Sequence, residues 1–151
     1  MDERGNCARG QPRVFHWPIR VYYEDTDSGG VVYHTSYLRF MERARTEWLR
    51  AIGFEQDWLR REHGLLFTVR SVRIDFLMPG FFNDQLAVDT WAACHRRVSL
   101  RFTQHIRQAR DDNAKGKVLC RAEIEVVCVG SQNLRPRPIP SAIYAELMNV
   151  G

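Results

Sequence analysis

One long helical stripe, set between stretches that alternate residue by residue, constrains this chain more than any other feature. Over residues 34–52 the apolar side chains Tyr37, Phe40, Met41, Ala44, Trp48, Leu49 and Ile52 recur at helical spacing, with Arg39, Glu42, Arg43, Glu47 and Arg50 mostly opposite. That spacing makes one broad apolar face on a long amphipathic helix, and Gly53 is a natural stop. Before it, Phe15, Trp17, Ile19, Val21 and Tyr23 alternate with His16, Pro18, Arg20, Tyr22 and Glu24. Period two means a strand with one buried face, and Pro18, which cannot donate a ladder hydrogen bond, puts that strand at an edge or a bulge. After the helix, residues 55–63 read as a short second helix ended by Gly64, and then period two returns.

Residues 66–76 are strand-like, but their apolar parity slips between Val69 and Val72, which predicts a bulge near Arg70 or Ser71. Pro79-Gly80 and Asn83-Asp84 signal turns. Residues 86–96 form the next strand. In the one after it, Val98, Leu100, Phe102 and Ile106 alternate with Ser99, Arg101, Thr103 and Arg107. Residues 111–117 read as a hairpin loop, and the last strand sets Ala122, Ile124 and Val126 against Arg121, Glu123 and Glu125. Pro136, Pro138 and Pro140 make an extended connector, and Ser141 is placed to cap a short terminal helix. The order is strand, long helix, then about four antiparallel strands. This is an α+β chain, a curved antiparallel sheet of about five strands around a central helix. With 151 residues and no linker or repeat, the expectation is one domain over residues 14–151 with a flexible lead-in over residues 1–13.

Composition narrows the function classes. No stretch is apolar for long enough to span a bilayer, and the polar N-terminus lacks the apolar region of a secretory signal, so a cytoplasmic protein is expected. Cys7, Cys94, Cys120 and Cys128 form no CxxC pair, and His16, His63, His95 and His105 show no ligand spacing; no metal site and no cofactor is expected. Cys120 and Cys128 fall on one face of a strand, too far apart along it for a disulfide, and read as small buried hydrophobes in a reducing compartment. The net charge of +4 is nearly all arginine, spread without a dense run, so nucleic acid is not an expected partner.

The chemically dense segment is YYEDTDSGGVVYHTSY, from Tyr22 to Tyr37. It places acids, two glycines and a histidine between a strand and a helix start. The first N–H groups of a helix have no intrahelical partner and sit at the positive end of its dipole. Such an end can polarise a carbonyl on its way to an oxyanion, while a nearby carboxylate attacks or activates water. The plain alternative is an ordinary Asp-Ser-Gly turn with an acid capping the helix. Ser28 lacks the GxSxG elbow of a serine hydrolase, and Glu42 reads as a solvated helix charge.

The run from Tyr22 to Arg50 resembles the signature of the 4-hydroxybenzoyl-CoA thioesterase-like branch of the hotdog superfamily, nearest to the bacterial acyl-CoA thioesterases encoded beside the Tol–Pal envelope system. The resemblance continues more weakly to Arg135–Pro140. It implies hydrolysis of acyl-CoA to free acid and CoA. It makes Asp27, the second acid of DTD, the catalytic carboxylate, acting as nucleophile or general base. It places the His34 backbone N–H on the thioester carbonyl with the imidazole assisting, Tyr23 and Tyr33 near the acyl pocket, and Arg96 and Arg97 on the CoA phosphates. It further implies a homodimer or homotetramer with sheets joined edge to edge and active sites at the subunit interface. Two rivals remain: a hotdog dehydratase acting on acyl carrier protein, and a non-catalytic acyl-CoA-binding module. The dehydratase normally sets its acid on the partner's helix, whereas here the acid lies upstream of the histidine. Acyl carrier protein stays open as the alternative carrier to coenzyme A.

Overall fold

A computed structural model describes residues 6–7, 13–109 and 116–147. The elements are β1 (Asn6–Cys7), β2 (Phe15–Arg20), a 3-10 turn (Tyr23–Asp25), α1 (His34–Ala51), α2 (Gln56–Trp58), β3 (Leu65–Phe76), β4 (Gln85–His95), β5 (Ser99–Gln108), β6 (Val118–Gly130) and α3 (Ser141–Leu147). The strands form one antiparallel sheet in the order β1-β4-β5-β6-β3. The free side of β4 is shared, with β2 on its first half and the two-residue β1 at its far end.

Alternation built this sheet. Leu86, Val88 and Ala92 of β4, Leu100, Phe102 and Ile106 of β5, and Cys120, Ala122, Ile124, Val126 and Cys128 of β6 all point inward and are buried. The stripe of α1 lies against them, with Tyr37, Phe40, Met41, Ala44, Trp48 and Leu49 in the same core. A sheet alone would leave that apolar face in water; wrapping it around one helix removes both faces from solvent at once. Pro18 costs nothing, because among the described residues β2 pairs only with β4. The register of β3 against β6 shifts between Val69 and Ser71, so Arg70 is the bulge that the parity slip predicts. A second shift, between Ala92 and Cys94, carries no parity signal in the sequence.

Two expectations need correction. Tyr23 leaves the alternating pattern: β2 ends at Arg20, and Tyr23 opens the 3-10 turn at 77% exposure. The second helix keeps α geometry only to Trp58; Leu59–His63 widens into a π turn before Gly64 closes it with a φ of 62°. Arg45 of α1, on which the helical spacing made no statement, is buried. The hairpin loop expected over residues 111–117 lies mostly outside the described residues, as do the side chains of Cys7 and Cys94. Cys120 and Cys128 are buried free thiols.

Candidate active site

The loop between β2 and α1 is held by its first acid. Asp25 is 2% exposed, and its Oδ2 accepts the Tyr22 N–H at 2.9 Å. Its main-chain carbonyl accepts two further bonds, from the Tyr33 N–H at 2.8 Å and the Ser36 hydroxyl at 3.1 Å. Ser36 in turn accepts from Arg39 Nη2 at 2.9 Å, and the same Nη2 lies 3.6 Å from Asp25 Oδ1. Asp25 is thus the buried clamp that ties the loop to the first turn of the helix.

The second acid has the opposite environment. Asp27 is exposed; its Oδ1 accepts the Gly29 N–H at 2.8 Å and the Val31 N–H at 3.4 Å, which fixes the carboxylate and leaves Oδ2 with no protein donor among the described residues. A side chain at position 29 would crowd that arrangement, because its Cβ would stand 3.2 Å from Asp27 Oδ1. Gly30 takes the left-handed φ of 82° that the return to Val31 requires. Thr26 then bridges Val32, so the loop doubles back and delivers the chain to α1.

His34 is the first residue of α1, and its N-cap, Tyr33, gives no side-chain cap to the helix start. The imidazole is exposed, 4.5 Å from the Tyr33 ring and 6.4 Å from Phe76. The neighbouring turn completes the surround. Val32 donates to the Gly80 carbonyl at 2.8 Å, Val31 bridges Phe81, and Gly80 donates to the Tyr37 hydroxyl at 2.9 Å. Burial raises the Tyr37 pKa, so this phenol stays protonated. A Cβ on Gly80 would meet Leu119 at 2.9 Å, so the close approach demands glycine.

Asp27, His34, Tyr33 and Tyr23 therefore share one end of the molecule. Arg96 and Arg97 do not join them. Both are exposed at the β4–β5 hairpin, where their carbonyls accept the Tyr144 hydroxyl. The Asp27 loop abuts Phe81 and Phe82, just before β4 begins, and the arginines follow its end. The length of β4 separates the two groups by roughly 30 Å in one chain. Sequence reasoning missed the aromatic rim: Phe82 stacks on Tyr23 at 3.9 Å, and Phe76, Phe81 and Phe82 are 40–51% exposed. Two phenylalanines between the turn signals Pro79-Gly80 and Asn83-Asp84 were the available sign, since turns seldom spend apolar residues without a partner.

The sequence profile of the thioesterase-like superfamily matches residues 21–147. The chain belongs to that family. It is 46% identical over 133 residues to the acyl-CoA thioester hydrolase YbgC of Escherichia coli O6:H1, a match covering 88% of this chain and 95% of that one. Among solved structures, a probable thioesterase from Bartonella henselae is 31% identical with a TM-score of 0.77, covering 85% of this chain and all of the other. A 1,4-dihydroxy-2-naphthoyl-CoA thioesterase from Synechocystis, 22% identical, superposes with a TM-score of 0.82 over 91% of this chain and 98% of that one, and so shares the hotdog fold.

In this thioesterase-like chain the two acids of DTD divide their work by burial. One is spent on the loop's own hydrogen bonds; the other keeps an oxygen free toward solvent on the loop that leads into the uncapped helix end. Among the described residues no group of three metal-ligating side chains lies together, and no helix is long and apolar enough to cross a membrane.

Proposed function

We propose that the protein hydrolyses acyl-CoA thioesters, with Asp27 and the start of α1 as the reacting pair. The observation that carries this reading is the free Oδ2 of Asp27 on a loop that leads directly into an uncapped helix N-terminus. Asp27 takes a proton from water as that water attacks the thioester carbon, or attacks it directly to give a mixed anhydride that water then cleaves to the free acid; the carbonyl oxygen gathers negative charge at the His34 N–H; and the thiolate of CoA leaves and is protonated. The imidazole of His34 assists positioning, and Tyr23 and Tyr33 border the acyl group. A hydrolysis screen across acyl-CoA chain lengths, read by release of free thiol, tests the activity. Absence of turnover on every chain length would leave a binding module. Running acyl and 3-hydroxyacyl thioesters of acyl carrier protein in the same screen decides the carrier, and loss of water from the 3-hydroxyacyl thioester instead of thiol release would expose a dehydratase.

The working unit we infer is a homodimer or homotetramer. β3 is twelve residues long and, among the described residues, pairs on one side only, leaving an open edge on a strand where Val69 and Val72 are exposed. A second copy also offers a physical route for Arg96 and Arg97 to reach a CoA bound at Asp27, which one chain's geometry does not provide. The catalytic domain is drawn as residues 14–151, with 1–13 as a lead-in that touches β4 through Asn6 and Cys7. The free Cys120 and Cys128 thiols fit a cytoplasmic setting.

A further inference from the structure

Midway along α1 a charge interrupts the buried face. Arg45 is 9% exposed, and its Nη1 donates to Gln104 Oε1 at 2.8 Å. Gln104 is fully buried, and its Nε2 donates to the Met41 carbonyl at 3.0 Å and to Thr90 Oγ1 at 2.8 Å. Those two acceptors fix the amide orientation, so Oε1 must face the guanidinium. Arg45 is therefore held from behind by a neutral group. No carboxylate among the described residues pairs with it; Glu42, one turn earlier on α1, acts on it only through space. Burial lowers its pKa to about 10, which still leaves it charged near neutrality.

A buried cation with no counter-ion is costly, and of about five N–H donors on a guanidinium only one is used here. The others are not sealed in. Asp25 Oδ1 is the sole buried side-chain polar atom lacking a hydrogen-bond partner among the described residues, so the remaining Arg45 nitrogens have open space before them. That space is a cavity of about 260 Å³ lined by Arg45, with Leu49, Leu100, Phe102 and Val126 as apolar walls and the exposed Glu42 and Gln56 at its rim. It is distinct from the thioester site: Arg45 lies eleven residues beyond His34 on the helix, about 16 Å along its axis.

We propose that this cavity binds a small organic carboxylate with a compact apolar body, the carboxylate on the Arg45 guanidinium and the body against Leu49, Leu100, Phe102 and Val126. A guanidinium presents a fork of donors that matches a carboxylate, and the pairing supplies the counter-charge that the fold omits. The volume accommodates a benzoate or a short branched acid. Binding needs no turnover, so the site stands or falls apart from the hydrolase reading.

The test is calorimetric titration of the full-length protein with benzoate and with benzamide, its neutral counterpart. Saturable one-to-one binding of benzoate, at least tenfold tighter than benzamide, is expected. The preference should vanish in Arg45→Met and persist in Asp27→Asn. Should Arg45→Met fail to fold, Val126→Phe carries the test, because it fills the cavity and leaves the Arg45–Gln104 contact in place; benzoate affinity should then fall at least tenfold. Equal binding of benzoate and benzamide would mark an apolar pocket rather than an anion site and overturn the proposal. So would benzoate binding indifferent to the folded variants, or no saturation by about 10 mM.

Discussion

The two acids of the DTD motif should separate cleanly when each is changed to asparagine. In Asp27→Asn the amide oxygen keeps the Gly29 bond at 2.8 Å, and the new NH2 takes the place of the free Oδ2, which faces solvent. Nothing buried is disturbed, so the stability change should stay within about 0.5 kcal/mol. The charge that attacks or accepts a proton is gone, and kcat should drop at least about a hundredfold. In Asp25→Asn no orientation satisfies the site. With the amide oxygen on the Tyr22 N–H, the NH2 faces Arg39 Nη2, donor against donor, in the place of Oδ1 at 3.6 Å. With the amide flipped, the part-buried Tyr22 N–H loses its acceptor. Either way the buried side chain loses a partner, the Arg39 cation in the first case and the Tyr22 N–H in the second, at about 1–3 kcal/mol. For a chain of this length that lowers Tm by roughly 2–4 °C per kcal/mol. Calorimetry and a thiol-release assay on the same preparations measure both effects. A stable, inactive Asp25→Asn beside an unstable, active Asp27→Asn would reverse the assignment and refute the reasoning from burial.

Three further outcomes follow from the geometry. His34 is the first helical residue, where proline is conformationally tolerated. His34→Pro should therefore delete the N–H without breaking α1 and lose far more activity than His34→Ala, which in turn should retain more than Asp27→Asn; equal loss in His34→Ala and Asp27→Asn would make the imidazole essential. Changing Arg96 and Arg97 together to Ala should raise KM with kcat unchanged, by a factor that shrinks at high salt, and an unaltered KM at low ionic strength would return both to the solvated surface. Burial pushes the Cys120 thiol up to about 12 from its ordinary 9.0, so it is protonated and unreactive in the folded chain at pH 8.5. Peptide-resolved iodoacetamide labelling should find Cys120 only after denaturation. Because the unfolded thiol ionises first, this group's contribution to stability is lost as pH rises from about 9 to about 12.

What the sequence could reveal depended on whether a residue's role repeats. The stripe of α1 and the alternation of the strands are periodic, and each position confirms its neighbours; even the bulge at Arg70 showed as a break in parity. The end of a pattern is less legible. Tyr23 continues the alternation of β2 but leaves the sheet, because Val21 is already bonded across to Asn83 and Asp84 and the Asp25 clamp turns the chain there. The DTD acids are two residues apart and chemically alike, yet one is buried and the other free; only the backbone donors around them make the difference. Arg45 and Gln104 are harder still. Each breaks the pattern of its own element, fifty-nine residues apart in the chain, and each alone reads as a surface residue or an exception. Their meaning lies in the pairing, which requires α1 to cross β5 at one register. Two polar residues on facing apolar surfaces are what a one-dimensional pattern discards, and at this fold's center they are the positions where packing was given up for a charge.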